Sequence, residues 1–387
     1  MRYFMFFCIA CGFVQEGFAA TLPSIYWSEA GGVTRARIDG SDIANVAPGY
    51  EIGGLALDRA RDGMFFTDIV PRVPIGPTGI VNRGNVDGVG VTPIVEELPA
   101  PTALALDRNG RHVVWSDAEL NSISIADYDG GHPKTILEPE PGIAQIAGLA
   151  FDPWKQQVYF SFVNPLIDSL RPGGIARMNL DGSDREIVLN GLVSPQGVAV
   201  DHVRGLIYWA DPEFGKGLIG RAALDGSDPV KYVGGLENPA GVAVDPYTNQ
   251  VYWADRGSGK IQTGTSFVPV VDLATDRDQP SAIALLINSG LTGDTNDDGV
   301  VDIFDLNDVR NYFGREPGPG PGDANLDGYV DINDLNDVRN NFGSRFVAPA
   351  EVNGVPEPNA AFLSIAVSII LMVFASRKRI SPTAARR

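Results

Sequence analysis

The sequence predicts an all-β six-bladed β-propeller, with a small helical domain and an apolar C-terminal helix after it. Three observations carry the propeller. Six aromatic phrases recur between residues 24 and 290 at intervals of 39 to 49 residues: IYWSE at 25, MFFTD at 64, VVWSD at 113, VYFSF at 158, IYWAD at 207 and VYWAD at 251. Ahead of all but the first stands a second phrase, GLALD at 54, ALALD at 103, GLAFD at 148, GVAVD at 197 and GVAVD at 241. A turn phrase recurs as well, IDGSD at 38, VDG at 86, YDGG at 128, LDGSD at 180 and LDGSD at 224. A repeat of about 40–50 residues made of short strands suits one four-stranded blade.

Each phrase has a physical role in a blade. Side chains alternate along a strand, so the adjacent aromatics Tyr26 and Trp27 point to opposite faces, and both are buried only where sheets lie on each side. Asp-Gly between apolar runs marks a hairpin, because Gly tolerates the positive φ of a tight turn; these turns join the outer strands. The first aromatic strand lacks a preceding GLALD-type phrase, while SAIALLI at 281 to 287 is such a phrase with no aromatic strand after it. The end of the repeat region therefore completes the first blade and closes the ring without an open edge. The acids that end the phrases, Asp58, Asp107, Asp152, Asp201 and Asp245, are read as braces of their own turns. These repeats resemble the YWTD propellers of the low-density lipoprotein receptor class B repeats, with Tyr208, Trp209, Ala210, Asp211 and Tyr252, Trp253, Ala254, Asp255 nearest the pattern. Glu29 and Phe162 depart from it, so the fourth blade is expected to be the least regular.

After the ring, residues 294 to 305 read DTNDDGVVDIFD and residues 323 to 334 read DANLDGYVDIND. Acids and amides fall at positions 1, 3, 5, 9 and 12 of both, as Asp294, Asn296, Asp298, Asp302, Asp305 and Asp323, Asn325, Asp327, Asp331, Asp334, with Gly299 and Gly328 at position 6. Carboxylates crowded this way repel one another until a hard cation takes about 6–8 oxygens from them, and Gly at position 6 brings the carbonyl of Val300 or Tyr329 into the set. Two calcium ions are the expected cofactors. Leu306, Val309 and Phe313, and likewise Leu335, Val338 and Phe342, give one apolar helix face after each loop, and Gly314 and Gly343 end it. SGLTG and REPGPGPG precede the loops, and such sequences do not sustain an entering helix. Loop plus exiting helix, given twice over 290 to 346, resembles a dockerin domain. The resemblance implies a calcium-folded module that binds a cohesin-like partner; a calcium-stiffened spacer is the competing reading.

The termini carry targeting signals. Residues 1–20 run from Arg2 through YFMFFCIACGFV to GFAA and read as a secretory signal peptide; a lipoprotein reading on Cys11 is the alternative. Both cysteines lie inside it, so the mature chain has none and its stability outside the cell rests on burial and metal. Residues 347–359 form a linker with VPEP, 360–376 an apolar transmembrane helix, and 377–387 a basic tail that stays cytoplasmic. The order resembles a PEP-CTERM sorting signal, which implies processing by an exosortase and a bacterial cell-envelope or extracellular location; a plain membrane anchor is the competing reading. The net charge of −18 argues against nucleic acid as a partner.

His112, His132 and His202 share no metal-ligand spacing, and nothing else suggests a catalytic set. The expected function is binding or scaffolding by an envelope protein whose partner is a cohesin-like domain, another envelope protein or a glycan. The alternative is a propeller hydrolase of the lactonase kind with a channel calcium, which an acid cluster contributed by several blades would favour. The segments 71–88 and 164–174 are candidate specificity loops.

Overall fold

A computed structural model of the protein describes residues 23–346 apart from 59–62, 73–75, 141–142, 165–172, 213–215, 266–267, 288–290, 315–321 and 325–328. The signal peptide, the VPEP linker, the apolar C-terminal segment and the basic tail lie outside the described residues, as do parts of both candidate specificity loops. Among the described residues no helix is long and apolar enough to cross a membrane.

Six four-stranded antiparallel sheets form the ring. The GLALD-type phrases become the first strand of blades 2 to 6, at Ile52–Asp58, Pro101–Asp107, Gln145–Asp152, Val198–Asp201 and Pro239–Asp245. Each first strand meets those of the two neighbouring blades, so together they line the central channel. Blade 1 takes its first strand, Ile283–Leu286, from the far end of the repeat region, where Ile25 pairs with Leu285 and Trp27 with Ile283. The expected closure is therefore found, with no open edge left at the seam.

The aromatic strand is second in every blade and serves two cores at once. Tyr26 packs with Leu55, Leu57, Met64 and Phe66 of blade 2, whereas its neighbour Trp27 packs with Tyr252, Ala254 and Ile261 of blade 6. Tyr208 and Trp209 divide in the same way between two clusters. This is what alternation demands of a strand covered on both faces. The Asp-Gly turns also fasten blade to blade: Gly226 has φ +83, and a Cβ there would collide with the Val188 carbonyl of the preceding blade. Asp225 holds that turn by accepting from the Ser227 backbone N–H at 2.9 Å.

The departure at Phe162 does not cost the fourth blade a strand. All four of its strands are formed, and Gln157–Val163 pairs along its whole length with Gly173–Asn179. Elsewhere the Asp that ends the aromatic phrase accepts from a backbone N–H at the start of its own blade; Asp117 accepts from Ala100 at 3.0 Å and Asp255 from Asn238 at 2.7 Å. In blade 4, with Phe162 in that place, the Ala144 N–H donates instead to the Val163 backbone carbonyl at 2.8 Å. The lost carboxylate is replaced by main chain, so the blade keeps its shape. Phe162 itself joins the buried cluster between blades 3 and 4.

Two helices follow, α1 (Ile303–Tyr312) and α2 (Ile332–Asn341), each beginning at the tenth position of a candidate loop. Their core is four valines, Val301, Val309, Val330 and Val338, with Leu306 and Leu335 half-buried against them. Phe313 and Phe342 are a correction to the expected apolar face, since both are about half exposed. Each helix stops one residue earlier, and Phe313 (φ −54, ψ 127) and Phe342 (φ −55, ψ 127) are extended C-caps that swing off it. The propeller and this helical module belong to one compact unit ending at Phe346.

Candidate functional site

The first loop is wound on its own backbone N–H groups. Asp294 accepts from Asp298 at 3.1 Å and from Gly299 at 2.8 Å, Asn296 Oδ1 from Asp298 at 2.9 Å, and Asp298 Oδ1 from Val300 at 2.9 Å. Gly299 has φ +81, the tight turn that position 6 requires. Asp302 is the N-cap of α1, and Asp305 closes the capping box while also accepting from the Thr295 N–H at 2.7 Å. In the second loop Asp331 caps α2, and Asp334 bonds the N–H groups of Ala324 and Asp331 at 2.7 and 2.8 Å. Asp323 is buried and Tyr329 is exposed. Asn325 and Asp327 lie outside the described residues.

The structure thus brings Asp294, Asn296, Asp298 and Asp305 into one buried network, a donor set made only of oxygen ligands of the hard-cation type. Among the described residues no group of three or more His, Cys, Asp or Glu side chains is already drawn together as a metal site; in this loop the carboxylates accept from main-chain N–H groups. Burial pushes the Asp305 carboxyl up to about 7, against its bonds to the Asp302 and Thr295 backbone and with the negative charges of Asp298 and Asp302 adding to the rise. Asp298 is raised for the same leading reason. A buried carboxylate without a counter-charge is costly, so the loop holds negative charge that a cation would stabilise.

That loop sits on the propeller. Trp154 Nε1 donates to the Asp298 carbonyl at 3.0 Å, Tyr247 OH to the Asp297 carbonyl at 2.9 Å, and Asn109 Nδ2 to Asp298 Oδ2 at 3.0 Å. Asn109 Oδ1 in turn accepts from Asn296 Nδ2 at 2.8 Å. At the flank Arg111 bonds Asp308 of α1 at 2.9 Å, Tyr247 packs edge-on to Phe346 at 4.9 Å, and the Arg345 guanidinium lies 4.5 Å over the Trp154 ring. All four propeller residues stand in the turn after a first strand, in blades 3, 4 and 6, one or more places past the bracing Asp. The braces are as expected: Asp107 accepts from Gly110, Asp152 from Trp154 and Lys155, Asp201 from Arg204, Asp245 from Tyr247.

Under the loop lies a cavity of about 220 Å³ along the channel axis. Leu55, Leu106, Val200 and Val244 from different blades line its wall, and Arg108, His202, Tyr247, Asp297 and Asp298 its capped end. His202 is edge-on to Trp154 at 5.1 Å and to Tyr247 at 6.3 Å. Burial lowers its pKa to about 4, the Arg108 charge adds to the fall, and the Asp298 backbone opposes it. The other two histidines meet where spacing gave no hint: His132 Nδ1 lies 2.8 Å and His112 Nε2 3.7 Å from Asp127.

No family model matches the chain. Among curated proteins it is similar to Protein cueball of Drosophila sechellia, 26% identical over 169 residues, which is 42% of this chain and 25% of that protein. It is similar also to Protein cueball of Drosophila grimshawi, 26% identical over 172 residues, 43% of this chain and 26% of that one. The match spans about a quarter of the length of these relatives. Among solved structures, a chain of a nidogen/laminin complex aligns with TM-score 0.58 at 19% identity, over 68% of this chain and 98% of that one. TolB from Acinetobacter baumannii aligns with TM-score 0.53 at 10% identity, over 69% and 67%. At such identities the structures speak for fold alone, and in fold this chain is a six-bladed β-propeller like the aligned chain of the nidogen/laminin complex.

Proposed function

We propose that this protein is an exported interaction protein, a propeller that presents a binding face and carries a calcium-folded, dockerin-like module as a second contact surface. The observation that carries the reading is the character of the two surfaces. The channel wall is aliphatic, and among the described residues it carries no convergent acid set from several blades, the feature that would favour hydrolysis. The module, by contrast, leaves Ile303, Phe304, Phe313, Tyr329, Ile332 and Phe342 exposed beside a four-valine core. Exposed large apolar side chains clustered on a small module mark a contact surface more readily than scattered ones do. Ile303 and Ile332 stand at the same loop position, so the two halves offer matching contacts. The propeller half of the reading is supported by the aligned chain of the nidogen/laminin complex, since that chain comes from an assembly of two proteins.

Asp294, Asn296, Asp298, Val300, Asp302 and Asp305 would hold one calcium, and Asp323, Asn325, Asp327, Tyr329, Asp331 and Asp334 the other. Export and envelope sorting follow from the signal peptide and the VPEP tail. Interferometry of the full chain against a cohesin domain, with calcium and with chelator, tests the module. Calcium-dependent binding that Ile303→Asp with Ile332→Asp abolishes is the expected result, and equal binding by that variant removes the proposed surface. For the tail, C-terminal peptide mapping of the protein from its host should find an end near Pro358; a chain still ending in Arg387 means a plain anchor.

A further inference from the structure

The two acidic loops are close copies, and the first of them is held on the propeller by four hydrogen bonds. Asn109 is the centre of them. Its amide oxygen takes the Asn296 Nδ2 hydrogen at 2.8 Å, and its amide nitrogen holds Asp298 Oδ2 at 3.0 Å. Positions 3 and 5 of the loop are thereby oriented by a single side chain of blade 3. With its nitrogen engaged by Asn109, Asn296 keeps its Oδ1 toward the loop interior, where it accepts from Asp298 N. Tyr247 and Trp154 fix two successive loop carbonyls, those of Asp297 and Asp298 respectively. The rim of the propeller is built around the loop as an outer shell is built around a metal site, and losing such outer partners typically costs about 10–100-fold in metal affinity.

Resting on the calcium reading above, we propose that cation binding in the first loop and docking of the module on the channel mouth are one coupled event, with Asn109 the positioning residue contributed by the propeller. Linkage makes the coupling reciprocal: docking tightens the first site, and a filled first site holds the module over the channel. The described hydrogen bonds give this support to the first loop, so the two sites are expected to differ in affinity in spite of their matching sequences. Arg111, which holds Asp308 of α1 at 2.9 Å, contributes through docking.

The test is calorimetric titration of the metal-free full chain with calcium, followed also by tryptophan emission. Trp154 is the tryptophan bonded to the loop, whereas Trp27, Trp115, Trp209 and Trp253 are buried within the blades. The parent chain is expected to show two sites at least about tenfold apart, the tighter one moving the emission. Asp294→Asn should remove that tighter site and Asp323→Asn the other. Asn109→Ala should weaken the tighter site by about 10-fold or more, leave the second unchanged, and leave the propeller's melting temperature in chelator where it was. Arg111→Ala should weaken the same site by less. Two unaltered sites in both Asn109→Ala and Arg111→Ala would overturn the coupling while leaving the calcium reading intact. A parent chain that takes up no calcium at millimolar concentration would overturn both.

Discussion

The propeller and the helical module are held together by opposite means. Each blade buries aromatic and aliphatic side chains on both faces, and Tyr26, Trp27, Phe65, Phe66, Tyr159, Tyr208 and Trp253 are wholly or almost wholly covered. The module covers four valines and a set of carboxylates. Apolar burial stabilises the ring in plain water, whereas the module gathers buried carboxylates, which a cation would stabilise. The ring should therefore be indifferent to cations and sensitive to covalent continuity, and the module the reverse.

The largest expected effect breaks the ring. Removing residues 281–288 deletes the first strand of blade 1 and exposes the Ser24–Glu29 edge, so the cooperative melt of the whole propeller should be lost. Circular dichroism checks it, and a truncated chain that melts like its parent would refute closure as the basis of the ring. Chelation should do the converse, unfolding residues 290–346 and leaving the propeller transition in place; hydrogen exchange resolves the two regions. If both regions lose protection together, their separate origins of stability are disproved. Trp253→Ala is expected to cost about 3–5 kcal/mol, because that side chain fills a core between blades 5 and 6 and bonds Gln262 Oε1 at 2.9 Å. Denaturant titration measures it, and a loss under about 1 kcal/mol would mean the inter-blade core can collapse around the gap.

The smallest effect probes the contact between the regions. His202 titrates at about 4 in the folded protein against 6.5 when free. The unfolded chain therefore binds more protons between those values, and stability that is complete above about 6.5 falls as pH drops toward 4, by at most about 3 kcal/mol. Burial is the main cause, Arg108 the second, and Asp298, itself raised by burial, titrates in the opposite sense. For that reason the comparison is between the parent and His202→Gln, whose stability should be flatter across that window. Parallel pH curves for the two would show that His202 is not the proton acceptor.

Much of the ring could be read from the chain because every blade needs the same things. SAIALLI reads as a first strand lacking its second, and it is found on blade 1. The acids at 107, 152, 201 and 245 each answer the same turn and each brace it. The docking of the first loop was not legible, since Asn109, Arg111, Trp154, His202 and Tyr247 occupy equivalent turns with unlike side chains and their partners lie far along the sequence. The signal available was that departure itself: large, non-repeating residues just past a repeating Asp. Phe313 and Phe342 misled for another reason, as their spacing continues a helical face that the backbone abandons one residue before them. The replacement of an Asp by Phe162 looked like damage because main-chain substitutes leave no trace in side-chain patterns.

The seam in blade 1 also governs how the molecule comes into being. Ser24 finds its partner Leu286 only when nearly the whole ring has been made, so three strands of blade 1 wait at an unpaired edge while the other five blades assemble. Contacts so distant in sequence form slowly, and an open edge in the meantime invites pairing with other chains. The first acidic loop begins at Asp294, a few residues beyond the closing strand. A chain emerging from its N-terminus thus completes its ring and delivers the cap to the channel mouth in nearly the same moment.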